Sequence, residues 1–174
     1  MTTPDELKQY VRDVPGYPQA GVIFRDITPL LARKDLFREV VDLMSKSWGD
    51  RPPDLVAAIE ARGFIPGAAI AVKLNAGFVP IRKTGKLPWK TIGEGYQLEY
   101  GADKLEVHSD AVESGQRVLI VDDVLATGGT AAAAIRLIRK LGGEVIGVQV
   151  LIELEDLGGR KLLPDVKVVS EIVY

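Results

Sequence analysis

Val118-Leu119-Ile120-Val121-Asp122-Asp123-Val124-Leu125-Ala126-Thr127-Gly128-Gly129-Thr130-Ala131-Ala132-Ala133-Ala134 is the stretch that decides the fold. Four apolar, mostly β-branched residues, Val118 to Val121, read as a strand buried on both faces, as in a parallel sheet. Two adjacent carboxylates, Asp122 and Asp123, stand at its C-terminal end. The turn Ala126-Thr127-Gly128-Gly129-Thr130 follows, and alanines then open a helix whose later apolar positions are Ile135, Leu137, Ile138 and Leu141. Strand, small-residue turn and helix start make an anion site, since backbone N–H groups and the helix dipole both favour negative charge. The hydroxyls of Thr127 and Thr130 add donors.

Neither common phosphate motif fits. The lysine of G-x-x-x-x-G-K-[ST] is missing, and Thr127-Gly128-Gly129-Thr130 is not G-x-G-x-x-G. Paired acids are unusual for a site that holds phosphate alone. They suit a phosphosugar, with the carboxylates on vicinal hydroxyls and the loop on the phosphate. The competing reading is a helix-capping turn behind two solvated acids.

This string resembles the 5-phosphoribosyl-1-pyrophosphate (PRPP) motif of the type I phosphoribosyltransferases, and the likeness to the adenine-using members runs over nearly the whole chain. The resemblance implies an α/β fold with a central, mostly parallel sheet flanked by helices. It also implies a small hood near residues 15–30 and a flexible hairpin lid near 84–110, all within a single domain spanning 1–174. The expected reaction joins adenine to PRPP, giving AMP and pyrophosphate with Mg²⁺.

The whole chain agrees with a soluble enzyme. It has 174 residues, 47% hydrophobic and 26% charged, which suits one folded domain. A net charge of −2 without a basic run argues against a nucleic-acid binder. No cysteine is present, so disulfides and thiolate chemistry are excluded. His108, the one histidine, reads as a surface residue. The start, Met-Thr-Thr-Pro-Asp-Glu, matches neither a secretory nor a transit pattern, and no apolar run reaches membrane-spanning length. A cytoplasmic protein is expected.

Along the chain, Thr3-Pro4-Asp5-Glu6 forms a capping box with proline in the first turn, and the helix it opens is expected to end near Val14-Pro15. Gly21 to Leu31 resembles the family's hood. That likeness implies that Phe24 stacks on the purine, while backbone groups around Ile23 and Arg25 read its edge. Asp35 to Trp48 has the periodicity of an amphipathic helix. Leu55 to Ile59, a small-residue helix from Pro66 to Leu74, and Phe78 to Ile81 make a βαβ unit, with ligands expected beyond the strand C-termini. Glu60-Ala61-Arg62-Gly63 lies at such an end and matches the family's pyrophosphate loop, which assigns Ala61 and Arg62 to the leaving group. Arg82, Lys83 and Lys86 would add cations there.

Tyr96-Gln97-Leu98-Glu99-Tyr100 and Lys104 to His108 alternate like a hairpin joined through Gly101-Ala102-Asp103. Leu98-Glu99-Tyr100-Gly101 resembles the family's catalytic lid. Glu99 is then the proton-handling candidate and Tyr100 its neighbour over the site. Glu144 to Ile152 and Val166 to Val173 are the closing strands. In the family a leucine here covers the second face of the purine, and by position it is Leu154. Asp122 and Asp123 would hold the ribose hydroxyls and lie near Mg²⁺, a cation that binds largely through substrate oxygens and water.

The base follows from two places. Relatives that act on 6-oxopurines carry an aspartate where this chain has Ala126, and orotate-type relatives have a lysine-rich lid. Phe24-Arg25-Asp26 and Glu99-Tyr100 favour adenine. Ala20 stands where the family often has proline. A PRPP-sensing regulator on the same fold would need a basic surface or an added DNA-binding domain, and a PRPP synthase-like chain would be longer. The family also implies a homodimer.

Overall fold

The computed structural model describes residues 3–98 and 101–174. In chain order the elements are α1 (Pro4–Lys8), β1 (Arg12–Pro15), β2 (Ile23–Asp26), α2 (Thr28–Leu31), α3 (Lys34–Lys46), β3 (Leu55–Ile59), α4 (Phe64–Lys73), β4 (Gly77–Lys83), β5 (Thr91–Leu98), β6 (Gly101–His108), β7 (Arg117–Leu125), α5 (Gly129–Lys140), β8 (Glu144–Glu153) and β9 (Val168–Val173). Two short 3-10 turns, Glu155–Leu157 and Gly159–Leu162, lie between β8 and β9.

A seven-stranded sheet runs in the order β5-β6-β4-β3-β7-β8-β9. The strands from β4 through β9 in that order are parallel, and the β5–β6 hairpin joins β4 antiparallel. This is the α/β architecture the sequence implies. Val118 to Val121 are fully buried, because β7 lies between β3 and β8 and both faces of the sheet are covered. On one face α5 packs Ala133, Ala134, Leu137 and Ile138 against β7 and β8. On the other, Val40 and Met44 of α3 and Ile70 of α4 close the second core. Burying each of the larger side chains among them contributes about 1.5–3 kcal/mol. Trp48, just beyond α3, belongs to this core, and its indole N–H donates to Gln149 Oε1 at 2.8 Å. No helix among the described residues is long and apolar enough to cross a membrane.

Four expectations change. The capping box at Thr3 is present, with Glu6 at the reciprocal position, but α1 ends at Lys8. Arg12–Pro15 is extended because it pairs with β2, Val14 opposite Phe24. The strand after α4 continues through Arg82 and Lys83, which pair with Glu106 and Leu105 of β6. The first strand of the hairpin begins at Thr91 rather than Tyr96, and Gly101-Ala102-Asp103 lies inside β6 rather than joining the strands, with Leu98 opposite Gly101. Glu94 explains the longer strand: it pairs with Arg136 of α5 at 2.7 Å and also with Lys140, docking β5 on the helix. Finally, His108 is half-buried, and its Nε2 is shut off from solvent without a hydrogen-bond partner.

Candidate active site

The two acids owe their position to unequal strand lengths. β3 pairs with β7 only as far as Ala58 opposite Val121, whereas β8 continues alongside to Leu125. Asp122 and Asp123 are therefore still within β7 rather than just past it, yet they stand beyond its last pair with β3, beside the 60–63 loop. That loop comes so close that a Cβ on Gly63 would meet Asp122 Oδ1 at 2.7 Å and Ile59 O at 2.5 Å. Asp122 Oδ1 accepts the Asp123 N–H at 2.8 Å, and Asp123 Oδ2 lies 2.7 Å from Arg62 Nε. Burial raises both carboxyl pKa values. The neighbouring charge of Asp123 adds to the rise at Asp122, while the Arg62 cation opposes the rise at Asp123.

Both aspartates line an open cavity of about 420 Å³. The Thr-Gly turn forms one end of it. Gly128 takes φ +84° as the residue before α5, without a side-chain cap. The first backbone bond into the helix is Ala132 N–H to Gly128 O at 2.9 Å, so the N–H groups of the first turn have no helical acceptor. Ala126 and Thr130 are on the cavity wall, and Thr127, Gly128 and Gly129 supply the backbone of the turn between them. Tyr96, which the sequence reading left without a role, reaches this place from β5. Its phenol neighbours the Thr130 side chain, with its hydroxyl 3.4 Å from Asp103 Oδ2.

At the loop after β3, Ala61 and Arg62 reach the wall, as does Lys83 from β4. Lys83 Nζ lies 2.9 Å from Asp103 Oδ2, a contact that raises the lysine pKa and lowers that of the aspartate. Arg82 and Lys86 are not on the wall. Successive residues of a strand point to opposite faces, and Arg82 is turned to Glu60, Nε to Oε2 at 2.7 Å, and to the Lys86 carbonyl at 3.0 Å. Glu60 also accepts the Lys83 N–H at 2.6 Å. In this geometry Arg82 braces the 60–63 loop through Glu60.

Ile23, Phe24, Arg25 and Leu154 also line the cavity, and Ile23, Phe24 and Leu154 give it apolar wall. The β1–β2 ribbon has two strands, so among the described residues the second edge of β2 has no strand partner and can offer its backbone groups to a ligand. The Arg25 guanidinium is turned away, 3.8 Å from the Tyr174 ring centroid and paired with Asp13. Tyr17 meets Phe24 edge-on at 5.2 Å, and the Arg62 guanidinium lies 4.4 Å from the Phe24 ring centroid. Glu99 and Tyr100 lie outside the described residues.

Among the described residues no group of three or more acidic or histidine side chains is placed to hold a metal ion. The two aspartates nonetheless fit a hard cation that brings most of its ligands with it. Asp123 Oδ2 is sealed from solvent and lacks an aligned hydrogen bond despite its nearness to Arg62.

Residues 26–173 match the model of the phosphoribosyl transferase domain family. The chain is 59% identical over 169 residues to the adenine phosphoribosyltransferase of Thermotoga petrophila, covering 97% of this chain and 99% of that one. The solved adenine phosphoribosyltransferase of Thermoanaerobacter pseudethanolicus superposes with a TM-score of 0.96 at 48% identity, over 99% of this chain and 100% of that one. The Saccharomyces cerevisiae enzyme, solved with an imino-altritol bisphosphate and adenine, gives 0.91 at 35% identity, over 97% of this chain and 98% of that one.

Proposed function

From the premise that the chain belongs to the phosphoribosyl transferase domain family, and within it to the adenine phosphoribosyltransferases, we propose that it joins adenine to PRPP, forming AMP and releasing pyrophosphate in purine salvage. The observation that carries this reading is the convergence of three chemistries on one cavity. These are a helix-start turn with free N–H groups, a buried acid pair, and an apolar slot between Phe24 and Leu154.

In this reading Asp122 and Asp123 accept hydrogen bonds from the ribose hydroxyls. The turn from Ala126 to Thr130 holds the 5′-phosphate. Ala61, Arg62 and Lys83 meet the diphosphate, which must leave C1′ with its bonding electron pair as the purine nitrogen attacks. Holding the sugar still and placing charge beforehand supply most of the rate. Mg²⁺ near Asp122 and Asp123 would neutralise part of the diphosphate charge. Glu99, assigned through the family resemblance, handles a purine proton, and Glu99→Gln should lower kcat by about 10² or more. Tyr100 flanks it. A cytoplasmic location and a homodimer complete the reading.

Incubation of the protein with PRPP, Mg²⁺ and radiolabelled adenine, hypoxanthine, guanine, xanthine or orotate tests it. Labelled AMP from adenine alone is the expected result. PRPP binding without turnover of any base would favour a PRPP-sensing regulator instead.

A further inference from the structure

Gly128 and Gly159 touch backbone to backbone. A Cβ added to Gly128 would meet Gly159 O at 2.3 Å, and one added to Gly159 would meet Ala126 O at 2.1 Å and Gly128 N at 2.9 Å. The turn that begins at Gly159 is thus a wall against which the Ala126–Thr130 loop is moulded. Something must hold that wall in place, and the next residue does so. Arg160 Nε donates to Glu153 Oε1 at 3.0 Å, and one terminal nitrogen donates to Glu153 Oε2. The other terminal nitrogen donates to Val168 O at 2.8 Å. Ser170 completes the set, accepting from Arg160 at 3.1 Å and donating to Glu153 Oε2 at 2.6 Å.

Glu153 is 6% exposed and is the last residue of β8, paired with Leu125, the residue before the loop. The fork of Arg160 therefore ties the Gly159 wall to the same strand end from which the loop departs. A bidentate arginine–carboxylate pair fixes distance and angle together, and a carboxylate this buried would not be retained unpaired.

We propose that Glu153, Arg160 and Ser170 are positioning residues for the phosphate loop: they touch no substrate, and they set the loop's backbone N–H groups at the spacing a 5′-phosphate needs. This rests on the loop being the 5′-phosphate site.

Arg160→Lys, which keeps the charge but loses the fork, and Gly159→Ala, which leaves the ion pair intact but wedges the contact, test it together. Each is expected to raise KM for PRPP and Kd for ribose 5-phosphate about tenfold. KM for adenine and Kd for pyrophosphate should stay within about twofold, because those sites lie elsewhere in the cavity. Glu153→Gln should fall between these variants and wild type. If Arg160→Lys unfolds, Gly159→Ala and Ser170→Ala carry the test. An unchanged KM for PRPP in folded Arg160→Lys and Gly159→Ala would overturn the proposal, as would equal rises for PRPP and adenine. A wild-type protein that binds pyrophosphate but not ribose 5-phosphate would instead overturn the phosphate reading, and the proposal with it.

Discussion

Arg62 lies 2.7 Å from Asp123, Nε to Oδ2, and the same guanidinium is stacked 4.4 Å from the Phe24 ring centroid. Without substrate this one side chain spans the acid pair and the purine slot. On the proposed assignment, adenine and PRPP would both compete with it, and its charge would then be available to the departing diphosphate. Arg62→Ala should lower kcat/KM about 10²-fold or more, the usual cost of one preorganised charge. Arg62→Lys should recover little, since an ammonium cannot reproduce the planar stack. Steady-state kinetics with each substrate varied in turn checks both. A near-wild-type lysine variant would mean that charge alone suffices.

Asp122 should trade stability against activity. Its carboxyl is held above the ordinary value of 3.8 by burial first and by the Asp123 charge second. An acid with a raised folded-state pKa costs stability whenever it is ionised. That cost is complete above the raised value and absent below the unfolded one. Asp122→Asn keeps an oxygen for the Asp123 N–H and removes the buried charge. Its Tm at pH 7 should exceed that of wild type, and the difference should vanish as pH falls below the ordinary carboxylate range. Turnover should drop about 10²-fold. Thermal melts across pH, with activity on the same samples, would decide. A lower Tm at pH 7 would count against the desolvation argument.

Thr130 should separate the two substrates. Its side chain sits on the cavity wall at the start of α5. Thr130→Val keeps the shape and deletes the hydroxyl. Losing one hydrogen bond to a charged phosphate should raise KM for PRPP about tenfold or more, with KM for adenine little changed. Equal effects would place Thr130 somewhere other than the phosphate.

What the sequence revealed follows a physical divide. The buried strand, the turn and α5 are local: apolar run, glycines and alanines name them without help from the rest of the chain. The acid pair was legible for the same reason. Contacts made by distant segments were not. Arg12–Pro15 looked like a helix tail, because only the pairing of Val14 with Phe24 makes it extended. Arg82 and Lys83 looked like equal cations, because which one faces the cavity depends on how far β4 runs beside β6. Tyr96 was one aromatic in an alternating strand until α5 was docked beside it through Glu94. Glu153 and Arg160 are seven residues apart, with one 3-10 turn between them, and carry no motif, so nothing in the sequence marks them.

The metal should arrive with the substrate rather than reside in the protein. Two aspartates, one of them already facing Arg62, are too few to hold Mg²⁺ without help, since that cation prefers six oxygens and sheds water reluctantly. A chelator should therefore leave the Tm of the protein alone unchanged. PRPP with Mg²⁺ should raise Tm through mass action, by about 2.7 kcal/mol of added stability at a hundredfold excess over Kd. PRPP with chelator should raise it much less, and turnover should stop. Differential scanning fluorimetry with the four combinations of PRPP and chelator reads all of this on one plate. If the chelator alone lowered Tm, the protein would hold a resident cation, and Asp122 and Asp123 would have to be joined by further ligands from its own chain.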